Sequence, residues 1–397
     1  MRSGPRTEAI ALPQVKGWCP GAWRPMETGD GWLVRVRPPL GQLSKAQVLA
    51  LCDAAETFGN GLIELTSRAN IQLRGVSKST WAPLMDFLVA HELVSVDPAI
   101  EQQPQCLLAP NWQAGDDTHQ LGCLLQALGS ELAAMPSKVG IAIDAGELAV
   151  LGDTAADFRV ERAIHGGLIV RAEGHTYGTP VGSIEAAVEH LIRLTHWFVE
   201  SGGNGAGRMR RHKVPLPAWS PAKMRPASAG AMVNATPGAA LALGEYQAGM
   251  VYGLPFGRAT ATVLRAAVTP AAVSHVRVTP WRRLWVQGAS EPVEGLINDD
   301  QDTRLLMDAC PGAPYCAQAS VATQPLAKRL APDVKRHSVH ISGCAKGCAR
   351  RSSADVCLVG QAGRFNLIVK GDAQSTPVKT GLTETEVVDY LESLGAL

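Results

Sequence analysis

The stretches LTSRANIQLRG (Leu65–Gly75) and VTPWRRLWVQG (Val278–Gly288) carry one pattern twice in a chain of 397 residues. Each reads as the end of a strand, a tight turn and a second strand of alternating character, with a glycine at the same place. Ahead of the first copy, Ser44 opens a helix running to about Phe58, and Gln47 three residues on completes a capping box. A second helix is expected near Thr80–His91. The order strand–helix–strand–strand–helix describes a small α+β unit, and using it twice is a strong constraint on the fold. The segments that follow match as well. VGIAIDAG (Val139–Gly146) and GGLIVRAEG (Gly166–Gly174) parallel HSVHISG (His337–Gly343) and RFNLIVKG (Arg364–Gly371), and helices His190–Glu200 and Glu384–Leu394 close the two halves. Matched features in one order make duplication a better account than chance. VPLPAWSPAKMRPASAG (Val214–Gly230) carries four prolines and reads as a linker. The expected division is therefore 1–100, 101–213, the linker 214–230, 231–300 and 301–397. A pseudo-twofold interface is a natural place for a large ligand.

Composition limits the function classes. With 46% hydrophobic and 18% charged residues and a net charge of +1, the chain has the balance of a soluble globular protein and lacks the basic excess of a nucleic-acid binder. No apolar run reaches the roughly 18 residues of a membrane helix. The opening MRSGPRTEAIALPQVKGWCPG has no apolar h-region, so a cytoplasmic protein is expected. There, nine cysteines are thiols or ligands rather than disulfides.

Four of those cysteines form a constellation: Cys310 and Cys316 in DACPGAPYC, then Cys344 and Cys348 in HISGCAKGCARR. C-x5-C followed by C-x3-C is poor spacing for structural zinc, whose knuckles favour two to four intervening residues. It suits a 4Fe–4S cube, which takes four thiolates from sharply bent loops. Pro311, Gly312 and Pro314 bend the first loop, and Gly343 and Gly347 free the second. Zinc or unligated thiols are the alternatives. Cys52 and Cys123 lie on apolar helix faces and Cys106 and Cys357 in strand-like runs, readable as small hydrophobes, whereas Cys19 in WCPGAW is a loop residue to which the sequence assigns no role.

The cysteine pairs, together with T-x-R-x-N-I-Q-L-R-G, resemble the sirohaem-dependent sulfite and nitrite reductases over nearly the whole chain. The resemblance implies an α+β fold of two pseudo-repeated halves, each a ferredoxin-like unit plus a nitrite/sulfite-reductase-type redox unit, with the cofactor between halves. It implies that Cys310, Cys316, Cys344 and Cys348 hold a 4Fe–4S cluster and that Cys348 bridges it to a haem iron. Two departures stand out. Where the reductases carry an Asn-Val-Arg motif that grips the small oxyanion, this chain has Leu107, Leu108 and Ala109. Where they carry two lysines in P-x-K-x-K, it has Lys138 and then Gly140, leaving Lys138 as the single candidate catalytic cation of that motif. Losing two cations from a dianion site costs several kcal/mol in a dry pocket.

The segment Gly17–Gly41, GWCPGAWRPMETGDGWLVRVRPPLG, resembles the precorrin-3B synthases, the cobalamin-pathway branch of that superfamily. This implies an O2-dependent monooxygenase that hydroxylates precorrin-3A at C20 and closes a lactone from a ring-A acetate. An assimilatory sulfite or nitrite reductase and a non-catalytic iron–sulfur carrier are the rival readings. The oxygen-activating iron would be sirohaem or a mononuclear non-haem iron. His337 and His340 lie closest to the cluster motif, yet each reads more readily as a packed or solvent-facing histidine.

A tetrapyrrole with eight carboxylates needs cations and apolar surface. Candidate contacts are Arg68, Asn70, Gln72 and Arg74 from the first repeat, Arg282 and Arg283 from the second, and Lys346, Arg350 and Arg351 from the cluster loops. Strand-edge cations facing water are the competing explanation. The basic run GRMRRHK (Gly207–Lys213) is open to the same two readings, and SGGNGAG (Ser201–Gly207) reads as a helix end rather than a phosphate loop. No dinucleotide fingerprint appears, so an external NAD(P)H-linked donor is expected to supply electrons.

Overall fold

A computed structural model describes residues 18–227 and 241–393. The expectations for the opening segment up to Gly17, for 228–240 and for Leu394 lie outside the described residues. The described chain falls into two compact units, one of 18–26 with 31–300 and one of 27–30 with 301–393. Among the described residues no helix is long and apolar enough to cross a membrane.

In the larger unit the first repeat forms strands Gly31–Val36, Leu62–Leu65 and Ile71–Val76 and helices Lys45–Phe58 and Lys78–Ala90. The expected capping box is present: Gln47 N–H donates to Ser44 Oγ at 3.2 Å, and Ser44 N–H donates to Gln47 Oε1 at 2.9 Å. The second repeat forms strands Gly249–Gly253, His275–Val278 and Arg283–Gln287 and helix Ala261–Val268, capped by Thr260, which accepts from Val263 N–H at 3.3 Å. The turns correspond atom for atom. Thr66 Oγ1 accepts from the N–H groups of Arg68 and Asn70 (3.3 and 3.1 Å), and Thr279 Oγ1 from those of Trp281 and Arg283 (3.3 and 3.2 Å). Each turn places a non-glycine residue in the left-handed region, Ala69 at φ 54° and Arg282 at φ 60°. That conformation costs about 1–2 kcal/mol, so its recurrence marks a built feature of the unit.

The repeats exchange their edge strands. Gln42–Ser44 of the first pairs antiparallel with His275–Val278 of the second, with Leu43 opposite Val276. Arg258–Thr260 of the second pairs with Leu62–Leu65 of the first, with Arg258 opposite Glu64. Each sheet therefore has one edge covered by the other copy, which hides backbone groups that would otherwise template aggregation. A single apolar core runs through both repeats, from Leu43, Leu51 and Leu73 to Leu264, Val276 and Val286.

The remaining two sheets share one topology. Gln105–Leu108, Gly140–Asp144 and Phe158–Arg162 run parallel, followed by antiparallel Leu168–Ala172 and Thr179–Val181. In the smaller unit Met307–Ala309, Val339–Ser342 and Ala354–Gln361 run parallel, followed by antiparallel Arg364–Gly371 and Lys379–Leu382. The closing helix of the first begins at Ile184, earlier than its expected start at His190, because Ser183 caps it by accepting from Ala186 N–H at 3.1 Å. The second spans Glu384–Ser393.

The proline-rich segment is pinned along its described length. Ile164 N–H donates to Arg225 O and Gly178 N–H to Met224 O (2.9 and 2.8 Å), while buried Ser220 meets Thr179 Oγ1 at 3.0 Å and His190 Nε2 at 2.9 Å. Prolines hold such a strap extended before it docks, so little entropy is lost.

Candidate functional site

The cysteine loops leave the same end of neighbouring parallel strands. Met307–Ala309 and Val339–Ser342 pair in parallel, with Ala309 opposite Ile341, so Cys310 and Gly343 emerge side by side. Gly343 N–H donates to Cys310 Sγ at 3.1 Å. Gly312, at φ 68°, could carry no side chain, because a Cβ there would stand 2.4 Å from Thr323 Oγ1. Gly29 lies equally close to the same loop in the smaller unit: its N–H donates to Tyr315 O at 3.1 Å, and a Cβ would meet Pro314 O at 2.3 Å. Cys348 is exposed as a residue, but the protein atoms packed around its thiol raise its pKa by desolvation; Lys346 lowers it, and Cys310, Cys344 and Cys316 raise it further. The other three thiols thus lie near enough to act on Cys348, and none of the four is in a disulfide. Among the described residues no three His, Cys, Asp or Glu side chains converge on a point as a single ion requires. A four-iron cube takes one thiolate at each iron, so it needs neighbouring thiols without a common focus, and an N–H donor to sulfur complements its negative charge.

Around this loop Arg350 is engaged with the fold, its Nη1 donating to Asp308 Oδ2 at 3.3 Å and its Nε to Ser353 O at 3.1 Å. Arg351 is exposed and Lys346 half-buried. His340 is fully buried with Nδ1 3.4 Å from Cys357 Sγ, a packed histidine, and burial pushes the Cys357 thiol up to about 12.

In the larger unit the structure assembles a second constellation that sequence reasoning saw only in part. Arg35 and Arg37 stand two apart around the end of strand Gly31–Val36, and alternation along an extended chain puts them on one face. With Arg68 from the repeat's turn they gather around Cys19, which acts on all three guanidinium groups. Burial lowers all three guanidinium pKa values, Arg35 to about 10; Cys19 opposes the shift at each of them, Glu101 also at Arg37 and Asp157 also at Arg68, while the charges of Arg37 and Arg68 add to the shift at Arg35. Their hydrogen bonds end on neutral oxygens: Gln72 Oε1 for Arg35 (2.8 Å), Gln103 O for Arg37 (3.1 Å) and Lys138 O for Arg68 (2.7 Å). The Nε atoms of Arg35 and Arg37 are buried without a hydrogen-bond partner among the described residues. The wholly buried Asp157 then ties two loops together, its Oδ2 accepting from Gly140 N–H (3.1 Å) and its Oδ1 from Arg208 Nε and Met209 N–H (2.8 Å each). Arg208 thereby comes near enough to Arg68 to lower its pKa. The alternating VRVR of residues 34–37 was the missed signal.

Other expected contacts are used inside the fold. Arg74 is 3% exposed and paired with Glu64 at 3.2 Å, so it belongs to the core rather than a ligand surface. Asn70 and Gln105 exchange amide hydrogen bonds at 3.0 and 2.8 Å, and Gln72 links Arg35 to Glu64. In the second repeat Arg283 is buried against Asp300 and Leu241 O, and the Arg282 side chain packs over Gly257. Arg74 and Arg283 are thereby engaged with carboxylates of the fold, buried Glu64 and exposed Asp300. Lys138 is exposed on the loop whose carbonyl Arg68 holds. Cys52 is buried as expected, but Cys123 is exposed, with its thiol 3.6 Å from His119 Nε2, because it faces away from the side of its helix carrying Leu121 and Leu125. Leu107, Leu108 and Ala109 are core residues, and beside Gly140 a Cβ would meet only Gln105 O, at 3.5 Å.

Comparisons with known proteins agree with this architecture. Residues 24–91 match the nitrite/sulfite reductase ferredoxin-like half domain. The chain is 32% identical to a precorrin-3B synthase of Sinorhizobium sp., covering 91% of this chain and 84% of that protein. It is 25% identical to the ferredoxin–nitrite reductase of Synechococcus elongatus, covering 86% and 78%. The solved structure of Mycobacterium tuberculosis NirA shares the fold, with a TM-score of 0.58 and 17% identity over 91% of this chain and 79% of that one. The chain belongs to the precorrin-3B synthase family of oxidoreductases, within the nitrite/sulfite reductase superfamily.

Proposed function

We propose that the chain is an O2-dependent monooxygenase that hydroxylates precorrin-3A at C20 and closes the ring-A acetate lactone in aerobic cobalamin biosynthesis. One oxygen atom enters the product and the other leaves as water, with two electrons and two protons drawn from an external NAD(P)H-linked donor. The observation that carries this reading is the trio Arg35, Arg37 and Arg68: three partly desolvated guanidinium groups whose hydrogen bonds end on neutral oxygens. Like charges held together out of water are stabilised by an anionic ligand, and forked guanidinium groups suit carboxylates. A substrate with eight carboxylates supplies that anion. Arg68 and the strand arginines grip its edge, Asp157 holds Arg208 beside them, and exposed Lys138 offers its Nζ as the proton carrier. Cys310, Cys316, Cys344 and Cys348 hold a 4Fe–4S cluster, which transfers single electrons when bound. The lack of cations at Leu107–Ala109 and Gly140 supports a neutral co-substrate over sulfite or nitrite.

The test supplies precorrin-3A, 18O2 and a reducing system and reads the product by mass spectrometry. One labelled oxygen atom is expected, with sulfite and nitrite turnover at background under reduced methyl viologen. Fast anion reduction with no oxygenated macrocycle overturns the reading in favour of an assimilatory reductase. An absorption spectrum of anaerobically purified protein separates sirohaem, with sharp Soret and near-red bands, from a cluster alone, with a broad shoulder near about 400 nm.

A further inference from the structure

Between Ser201 and Ala227 the chain carries six Lys and Arg residues and no Asp or Glu, although its net charge is only +1. The first of the six, Arg208, turns inward to Asp157 beside Arg68. The next three, Arg210, Arg211 and Lys213, are exposed and make no ion pair among the described residues. We propose that Arg210, Arg211 and Lys213 form the electrostatic entry surface that draws a polycarboxylate ligand toward the Arg35–Arg37–Arg68 site. The proposal rests on the carboxylate-binding role assigned above to that site.

The segment is displayed on a fixed turn. Met209 is 1% exposed, and its N–H donates to Asp157. Arg211 N–H donates to Arg208 O at 3.0 Å and His212 N–H to Met209 O at 2.9 Å. His212 Nε2 lies 2.8 Å from Ser201 Oγ, with its ring against Trp197 and Phe198. The acids these contacts bring near are engaged, Asp157 with Arg208 and Glu173 with Arg159 at 3.7 Å. Three like charges fixed on a rigid turn contribute nothing to stability, since self-repulsion opposes folding. They do act on an approaching polyanion across a Debye length of about 10 Å at 0.1 M salt, and such focusing raises association rates by about 10 to 1,000-fold. Roles are thereby divided: Arg68 and its neighbours retain the ligand, and the exposed cations speed its arrival.

Stopped-flow binding of uroporphyrin III, a fluorescent octacarboxylate, to the full chain tests this. The variant R210Q/R211Q/K213Q replaces exposed side chains only. Its association rate should fall about tenfold at ~20 mM salt and less than twofold at ~500 mM, with the dissociation rate unchanged. Mesoporphyrin, with two carboxylates, should show little difference. Arg68→Ala should instead speed dissociation. An unchanged association rate at low salt overturns the entry surface while leaving the grip standing. Slower association in the triple variant with unchanged dissociation in Arg68→Ala keeps the entry surface and removes the grip. No saturable binding to the wild type overturns both.

Discussion

Glu64→Gln should destabilise the protein far more than an isosteric change normally does. Glu64 is 6% exposed, and its carboxylate serves both repeats. Oε2 accepts from Arg74 Nη1 at 3.2 Å and Gln72 Nε2 at 3.1 Å; Oε1 accepts from Arg258 Nε at 2.9 Å and from its Nη2. Arg74 and Arg258 are themselves 3% and 8% exposed. The glutamine keeps one carbonyl acceptor, but it turns an N–H2 donor toward a guanidinium and removes the only charge in the trio opposing the two arginines. Removing one partner of a buried pair costs about 3–5 kcal/mol, and the retained acceptor brings the expectation to about 3 kcal/mol. That is a large fraction of the roughly 5–15 kcal/mol by which domains are stable. Urea unfolding should show a lower midpoint at unchanged m. Because Arg258 arrives on the exchanged strand, a double-mutant cycle of Glu64→Gln with Arg258→Gln should give a coupling of at least about 1 kcal/mol between residues of different repeats. A loss under about 1 kcal/mol with no coupling would refute the idea that this carboxylate locks the exchange.

Three further outcomes are expected. Cys344→Ser should lose the iron–sulfur cluster, since a hydroxyl is a poor substitute for a thiolate, whereas Cys52→Ser, changing a buried helix thiol, should keep it; iron and sulfide assays decide. Arg68→Ala should weaken macrocycle binding tens to hundreds of times, about 2–4 kcal/mol for one charge-assisted contact, with cluster content intact on titration. Burial raises the Asp144 carboxyl from 3.8 to about 6, with its Oδ2 accepting from Val150 and Leu151 N–H. As pH rises the unfolded chain loses this proton first, so stability should fall between about pH 4 and 6, by about 3 kcal/mol in full above that window. Asp144→Asn keeps an acceptor for the two N–H groups and should flatten that slope in pH-dependent urea titrations; an unchanged slope counts against the assignment.

Local chemistry made much of the fold legible in the sequence. The capping box at Ser44, the twin turns at Ala69 and Arg282 and the paired strand runs follow from residues within a few positions of one another, where backbone sterics and side-chain period decide the outcome. The cysteine pairs were legible for the same reason, as short loops bent by glycine and proline. The tertiary structure alone decided which arginine does what. Arg74 and Arg283 look no different in sequence from Arg35 and Arg37, yet the first two meet Glu64 and Asp300, whereas the last two are held by neutral oxygens. The strand exchange was equally invisible, because antiparallel pairing of Gln42–Ser44 with His275–Val278 joins segments more than two hundred residues apart. A counter-ion or an edge partner is a property of position in space. Only packing the apolar faces of both repeats into one core brings those partners within hydrogen-bonding distance.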